Sequence, residues 1–274
     1  MKKLSARRRH PLAAIVVLIF ALAATGGLYA AFAPAGEAQA GETAAAQSLA
    51  IEEGKKLYAV GCSSCHGTGG QGTSDGPSLV GVGAAAVDFQ VGTGRMPLQA
   101  PGAQAPEKPR MYSQAEIDQM AAYIASLGPG PAIPTEEQYG TEDLSGEEVA
   151  EGGVLFRTNC AQCHNFTGEG GALTRGKYAP DLTDVDAKYI YEALQTGPQN
   201  MPSFPDTVMP EKEKQQIIAY LHQVNSSDAK TPGGFKLGGY GPVAEGLFAW
   251  VIGLPILVGV TVWVAARNAK AKKS

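Results

Sequence analysis

Two short runs concentrate the reactive side chains of this chain. Cys62-Ser63-Ser64-Cys65-His66 and Cys160-Ala161-Gln162-Cys163-His164 hold all four cysteines and two of the four histidines. Two thiols at this spacing reach the two vinyl groups on one edge of a porphyrin. The next residue, His, then lies under the ring, where imidazole ligates iron. C-x-x-C-H is the spacing of c-type haem attachment, so two covalently bound haem c groups are expected. Cys62, Cys65, Cys160 and Cys163 are the attachment thiols, and His66 and His164 are the proximal ligands. The competing chemistries fit less well. A thioredoxin-like C-x-x-C expects a surrounding βαβ pattern, which is absent. A zinc site expects four ligands, and the only other histidines are His10 and His222. A disulfide framework scatters its cysteines more widely than two close pairs.

A haem iron used for electron transfer takes a sixth ligand, and Met opposite His raises its potential. Met96 and Met201 occupy matching loop positions, 30 and 37 residues beyond their histidines, and each precedes Pro. Both are expected as axial ligands; packing is the alternative use of a thioether, and Met111 is the rival for the first haem. Met120 sits at helical spacing among apolar residues and reads as core. His222 rides on the last soluble helix and is a weak ligand candidate. A ligating His also needs its second ring nitrogen held. The carbonyls of Pro77, in Gly-Pro-Ser-Leu, and Pro180, in Ala-Pro-Asp-Leu, follow at a suitable distance. A plain turn is the alternative at both. No residue is expected to be catalytic.

These residues are positioned by one unit present twice. EEGKKLYAVGCSSCHG, from Glu52, matches AEGGVLFRTNCAQCHN, from Ala150, with Cys62 and Cys160 98 positions apart. VGTGRMPL matches QTGPQNMP, and SQAEIDQMAAYIASL matches PEKEKQQIIAYLHQV. The opening segments read as short helices ending at the cysteines. The closing segments repeat Ile117, Met120, Ala121, Ile124 and Ile217, Ile218, Leu221 at helical spacing. Ser113 with Glu116 predicts a capping box, and Gly128 a helix stop. Residues 128–146, rich in Pro, Gly and acids, read as a tether. Gln99–Arg110 is a Pro-rich insertion of the first copy: 27 residues separate Met96 from Tyr123, against 19 between Met201 and Tyr220. It reads as a surface loop, either a contact site or decoration.

Two apolar runs flank the repeats. Leu12–Ala33 is uncharged, and Val243–Ala266 carries only Glu245 near its start. Each is long enough to span the ~30 Å hydrocarbon layer as a helix. Trp250 and Trp263 are candidates for its interfaces, and Glu245 reads as lying at the headgroup boundary. Five bases lie in the first ten residues and four in the last eight, with no acid in either. The positive-inside rule puts both termini in the cytoplasm. A cleaved signal peptide is the alternative for the first run, at the A-x-A-like sites Ala31-Phe32-Ala33 or Ala38-Gln39-Ala40. Residues 37–241 carry 25 acids against 13 bases, a net −12. Phosphate needs a basic face, so nucleic-acid binding is excluded. The expected division is 1–36, N-terminus and anchor; 37–128, first haem domain; 129–146, linker; 147–228, second haem domain; and 229–274, linker, C-terminal anchor and tail.

The repeated residues resemble class I cytochrome c domains in tandem, over about 52–127 and 147–224. The resemblance implies a mainly α fold in which Gly54/Tyr58 cross Tyr123 and Gly152/Phe156 cross Tyr220. Two such domains between N- and C-terminal transmembrane helices resemble the dihaem cytochrome c subunit of actinobacterial menaquinol–cytochrome c reductase, the cytochrome bcc complex. LFRTNCAQCHNFTGEGGALTRGKYAPDL is especially close. That family implies a cytochrome b subunit and a Rieske iron–sulfur subunit as partners. It implies onward transfer to an aa-type terminal oxidase in a supercomplex, which replaces a soluble acceptor. Neither apolar run contains His, so b-haem and quinol oxidation belong to another chain. The other readings are a dihaem carrier of a cbb-type oxidase or periplasmic dehydrogenase, and a haem sensor or peroxidase-like enzyme, which would need an open iron position.

Overall fold

The computed structural model describes residues 11–32, 35–100, 102–226 and 242–271. It divides into two compact units, 1–52 and 53–274. In the first lie α1 (Pro11–Phe32) and most of α2 (Ala35–Gly61). The apolar stretch of α1 whose side chains are described is Leu12–Leu28. The expected short opening helix of the first repeat is therefore the last part of a 27-residue helix.

The second unit is helical apart from one two-stranded hairpin. The first repeat continues with α3 (Ser63–His66), α4 (Ala84–Gly92) and α5 (Gln114–Ser126). After α6 (Glu136–Tyr139), the second repeat has α7 (Gly146–Asn159) and α8 (Ala161–His164). The hairpin β1 (Gly171–Ala172) and β2 (Tyr178–Ala179) follows, pairing antiparallel across a 3₁₀ turn at Thr174–Gly176. Then come α9 (Ala187–Thr196) and α10 (Glu211–Asn225).

Each repeat is closed by a crossing of its opening and closing helices at glycine. A Cβ on Gly54 would sit 1.9 Å from the Gln119 carbonyl oxygen of α5, and one on Gly152 2.0 Å from that of Gln216 on α10. No other residue type permits backbone to touch backbone there. One turn on, Tyr58 packs on Tyr123 with ring centroids 5.2 Å apart, and Phe156 on Tyr220 at 5.6 Å. These are the contacts implied by the resemblance. Ile117, Met120 and Ile124 are buried in the first repeat; Ile217, Ile218 and Leu221 are buried in the second. Each such side chain contributes roughly 1.5–3 kcal/mol. Met120 is thus core, at 2 % exposure.

The capping box at Ser113 and Glu116 is formed, and a second one at Ser145 and Glu148 starts α7. α5 stops just before Gly128, as expected: Leu127 is its C-cap, in a right-handed conformation, and Gly128 lets the backbone pass close to Gly81. The 128–146 segment also departs from a free tether. Its Pro131 carbonyl accepts from the Ala85 amide at 3.1 Å, Gln215 donates to the Glu137 carbonyl, and Tyr139 packs on the second core. It is a strap laid over both repeats.

The unit ends in α11 (Pro242–Phe248), a π-helical turn (Ala249–Gly253) and α12 (Leu254–Ala271). Pro255 lacks an N–H and crowds the carbonyl four residues back; the wider turn just before it relieves that clash. Glu245 lies in the first turn of α11, where the helix dipole favours an acid. Val243–Arg267 is long and apolar enough to cross a membrane, the one such helix among the described residues.

Gly152→Ala should force α7 off α10 and cost about 3 kcal/mol. Gly146→Ala, in the same helix with nothing within 4 Å of the new methyl, should cost nothing. Denaturant unfolding of the purified protein compares the two.

Candidate functional site

In both repeats the C-x-x-C-H run is a single helical turn set at an angle to the helix before it. Cys160 ends α7 and begins α8 with φ −120° and ψ −35°. The His164 amide donates to the Cys160 carbonyl at 2.9 Å, and the His66 amide to the Cys62 carbonyl at 3.0 Å. Cys65 and Cys163 are exposed thiols, while Cys62 and Cys160 are half-buried. Burial, with the neighbouring cysteine second, pushes Cys62 and Cys160 up to about 11. The two half-buried thiols are thereby kept apart from the thiolate-based chemistry of redox C-x-x-C sites.

The His66 ring nitrogen Nδ1 lies 2.8 Å from the Pro77 carbonyl oxygen, and His164 Nδ1 lies 3.0 Å from that of Pro180. An N–H at Nδ1 donates to each carbonyl, which leaves Nε2 as the nitrogen able to ligate a metal. The carbonyls are aimed by a shared loop geometry. Gly72 and Gly170 have φ of 85° and 74°, and a Cβ on either would strike the following Pro carbonyl carbon at about 3 Å. Their amides donate to the carbonyls of His66 and His164. The second loop is five residues longer (His164 to Pro180 against His66 to Pro77), and β1 and β2 fold within the excess. Burial depresses the His164 pKa, opposed by the Pro180 bond.

A cavity of about 320 Å³ gathers Cys160, His164, Pro180 and Met201, a volume within the range of cofactor sites. Phe156, Leu182, Ile190, Leu194, Ile217 and Leu221 give it an apolar wall. The donor set fits a c-type haem: the Cys160 thiol, an imidazole held by its far nitrogen, and a thioether line the same cavity, with Cys163 exposed one residue before His164. Among its lining residues are none of Cys62, Cys65, His66 or Met96. In the first repeat Met96 is half-buried in the loop after α4, its amide bound by the Gln90 carbonyl at 2.8 Å. Its rival Met111 is 67 % exposed, and Met209 is buried in the second core. His222 directs Nε2 at the Val185 carbonyl, 3.2 Å away. Among the described residues, no group of three or more His, Cys, Asp or Glu gathers as a metal cluster.

Sequence reasoning missed that the first repeat walls the second repeat's cavity. Phe89, Thr93, Arg95, Gln104 and Glu107 all line it. The inserted loop makes this contact. Gln104 donates to the Tyr178 carbonyl and accepts from its amide, extending the hairpin edge. Gln199, two residues before Met201, makes the same reciprocal pair with Ala105. The unequal Met-to-Tyr spacing was the available signal. Beside the loop, α4 packs on α9, with Phe89 edge-on to Tyr189 at 6.3 Å. Buried Asp88 pairs with Lys188 and accepts from Gln114. Glu192, fully buried next to them, is pushed up to about 9 by desolvation first and by the neighbouring Asp88 carboxylate second.

The comparisons with known proteins agree with this duplicated architecture. The family model for cytochrome c matches residues 51–128, and the model for cytochrome c oxidase, cbb3-type, subunit III matches 147–221. The cytochrome bc1 complex cytochrome c subunit of Mycobacterium tuberculosis (strain H37Rv) is 44 % identical over 265 residues, 96 % of this chain and 93 % of that protein. The chain belongs to this family of cytochrome bc1 complex cytochrome c subunits. The same subunit from Corynebacterium efficiens is 44 % identical over 282 residues, covering 97 % of this chain and 94 % of that protein. A more distant relative is the cbb3-type cytochrome c oxidase subunit FixP of Bradyrhizobium diazoefficiens, at 26 % over 216 residues, 73 % of this chain and 69 % of its own length. The two repeats are thus cytochrome c domains.

Glu192 carries a raised pKa, so its contribution to stability is full below about 4.5 and is lost as pH rises toward 9. Glu192→Gln, neutral throughout, should flatten that decline. Melting temperatures of both proteins between pH 5 and 9 measure it; parallel slopes would mean that Glu192 is not the group responsible.

Proposed function

We propose that this chain is the membrane-anchored, dihaem electron-transfer subunit of a respiratory quinol–cytochrome c reductase. Family membership over nearly the whole chain carries this reading. Cys62 and Cys65, and Cys160 and Cys163, would hold haem c through thioether bonds, with His66 and Met96, and His164 and Met201, as the residues that would ligate its iron. When bound, each haem supplies one-electron chemistry between ferric and ferrous iron. The protein's part is to hold and tune it. The thioether bonds retain the cofactor outside the cytoplasm. Pro77 and Pro180 fix the two imidazoles and raise their basicity. The apolar wall around His164 and Met201 excludes water and favours the less charged, reduced iron.

Its partners are a cytochrome b subunit, a Rieske iron–sulfur subunit that supplies the electrons, and an aa-type terminal oxidase or soluble acceptor that takes them. The reductase is an oxidoreductase and translocase; this subunit is its carrier. Leu12–Ala33 and Val243–Ala266 anchor the chain in the plasma membrane with both termini cytoplasmic and the haem domains outside. Arg267, stacked on Trp263 at 4.6 Å, supports a cytoplasmic end for α12. The match of 147–221 to the cbb3-type subunit III model favours one second reading, a dihaem carrier serving a cbb-type oxidase.

Pull-down of the chain from native membranes in mild detergent separates the two. Co-purifying haem b, with quinol reducing both c-haems, is expected; two c-haems with an oxidase and no quinol activity would establish the second reading. Met201→Ala should convert one of the two haems to a high-spin or five-coordinate form in the absorption spectrum. An unchanged low-spin spectrum and potential would remove Met201 as a ligand.

A further inference from the structure

We infer that Arg95, carried by the first cytochrome c domain, positions the haem of the second domain by supplying the positive charge that holds its carboxylates. The inference rests on the reading that Cys160 and Cys163 carry that haem. A c-type haem attached through its vinyl edge still bears two propionate carboxylates. The cavity that would enclose it is lined by four acidic residues, Glu107, Asp181, Asp184 and Asp186, and by one cation, Arg95. Of the second domain's own bases, Lys188 is paired with Asp88, and Lys177, outside the lining, is hydrogen-bonded to Asn200 at the cavity's edge. Two further negative charges among four carboxylates need a cation within the cavity.

Arg95 is prepared for that role. It is only 8 % exposed. Its guanidinium lies over the Phe89 ring at 5.0 Å, which fixes its plane. Its ion pair with Glu107 is 3.3 Å long, to a side chain 65 % exposed, so most of its five N–H donors are left for another acceptor. A buried guanidinium with one weak, solvated partner is costly unless a second anion completes it. The folded-back loop that carries Glu107 also carries Gln104 and Ala105, the residues clamped to the second domain. Docking of the two domains therefore brings the cation and the cavity together, and the potential of the second haem becomes a property of the docked pair.

The test is a redox titration of the full-length, haem-loaded chain in detergent, with the second haem identified as the one whose potential falls in Met201→His. Arg95→Gln should lower the reduction constant of the second haem about tenfold, about 59 mV for a one-electron couple. The first haem should be unmoved and both haems should remain low-spin. Arg95→Lys should retain most of the wild-type value. Glu107→Gln, which frees the arginine's charge, should shift the second haem in the opposite direction; these two variants carry the test if Arg95→Gln fails to fold. No shift at the second haem, an equal shift at the first, or shifts of the same sign in Arg95→Gln and Glu107→Gln would overturn the inference. A wild-type chain with fewer than two covalent haems by pyridine haemochrome would instead refute the haem assignment itself.

Discussion

Both haem domains depend on one constraint, the contact of backbone with backbone where the opening helix crosses the closing helix. At Gly54 and Gly152 the absent side chain lets the carbonyls of Gln119 and Gln216 occupy the place of a Cβ. Everything nearer the cofactor is hung from that point. Four residues on, an aromatic side chain locks the angle against a tyrosine of the other helix. Another four residues on, the chain leaves the helix at the first cysteine. The histidine thus emerges at a set distance and direction from the crossing, and a substitution there would act on its imidazole without touching it.

A second layer of order serves the histidines themselves. An imidazole on a four-residue helix has little to restrain it, and no side chain of that helix could. The restraint comes from a proline carbonyl on the following loop, which has to double back tightly. Left-handed glycines permit the reversal, and bonds from Gly72 and Gly170 to the histidine carbonyls close it. In the second domain a hairpin is added to this loop, and that hairpin is where the first domain takes hold. The same device that aims His164 therefore also supplies the edge for docking.

The docking surface combines features of different cost. The paired amide clamp at Gln199 satisfies the backbone groups of buried Ala105, and the one at Gln104 adds an exposed pair with Tyr178, both at little electrostatic expense. The Asp88, Lys188 and Glu192 cluster is expensive, since it holds two carboxyl groups out of water around one ammonium, and one of the two retains its proton. Such a group adds little stability, but it disfavours any register in which the charges fail to meet. The strap at 128–146 lowers the entropic cost of bringing the domains together by packing on both.

Much was legible without coordinates because covalent chemistry and helical periodicity are local. The C-x-x-C-H runs, the proline carbonyls and the Ser113 cap are each read from residues close in sequence, and the glycine–aromatic crossings from the resemblance to class I cytochrome c. The duplication doubled every signal. The tertiary structure decided what happens between the copies. Nothing in the spacing of Gln104, Gln199 or Glu192 shows what they meet, because their contacts with Tyr178, Ala105 and Asp88 span 74, 94 and 104 positions and depend on surface shape. The strap looked like a tether because Pro and Gly composition reports local chain stiffness and not whether a neighbouring surface awaits it. Residue chemistry determined that the chain repeats a cytochrome c domain; only the packing of one domain on the other decided that the cavity beside His164 is walled by the first domain.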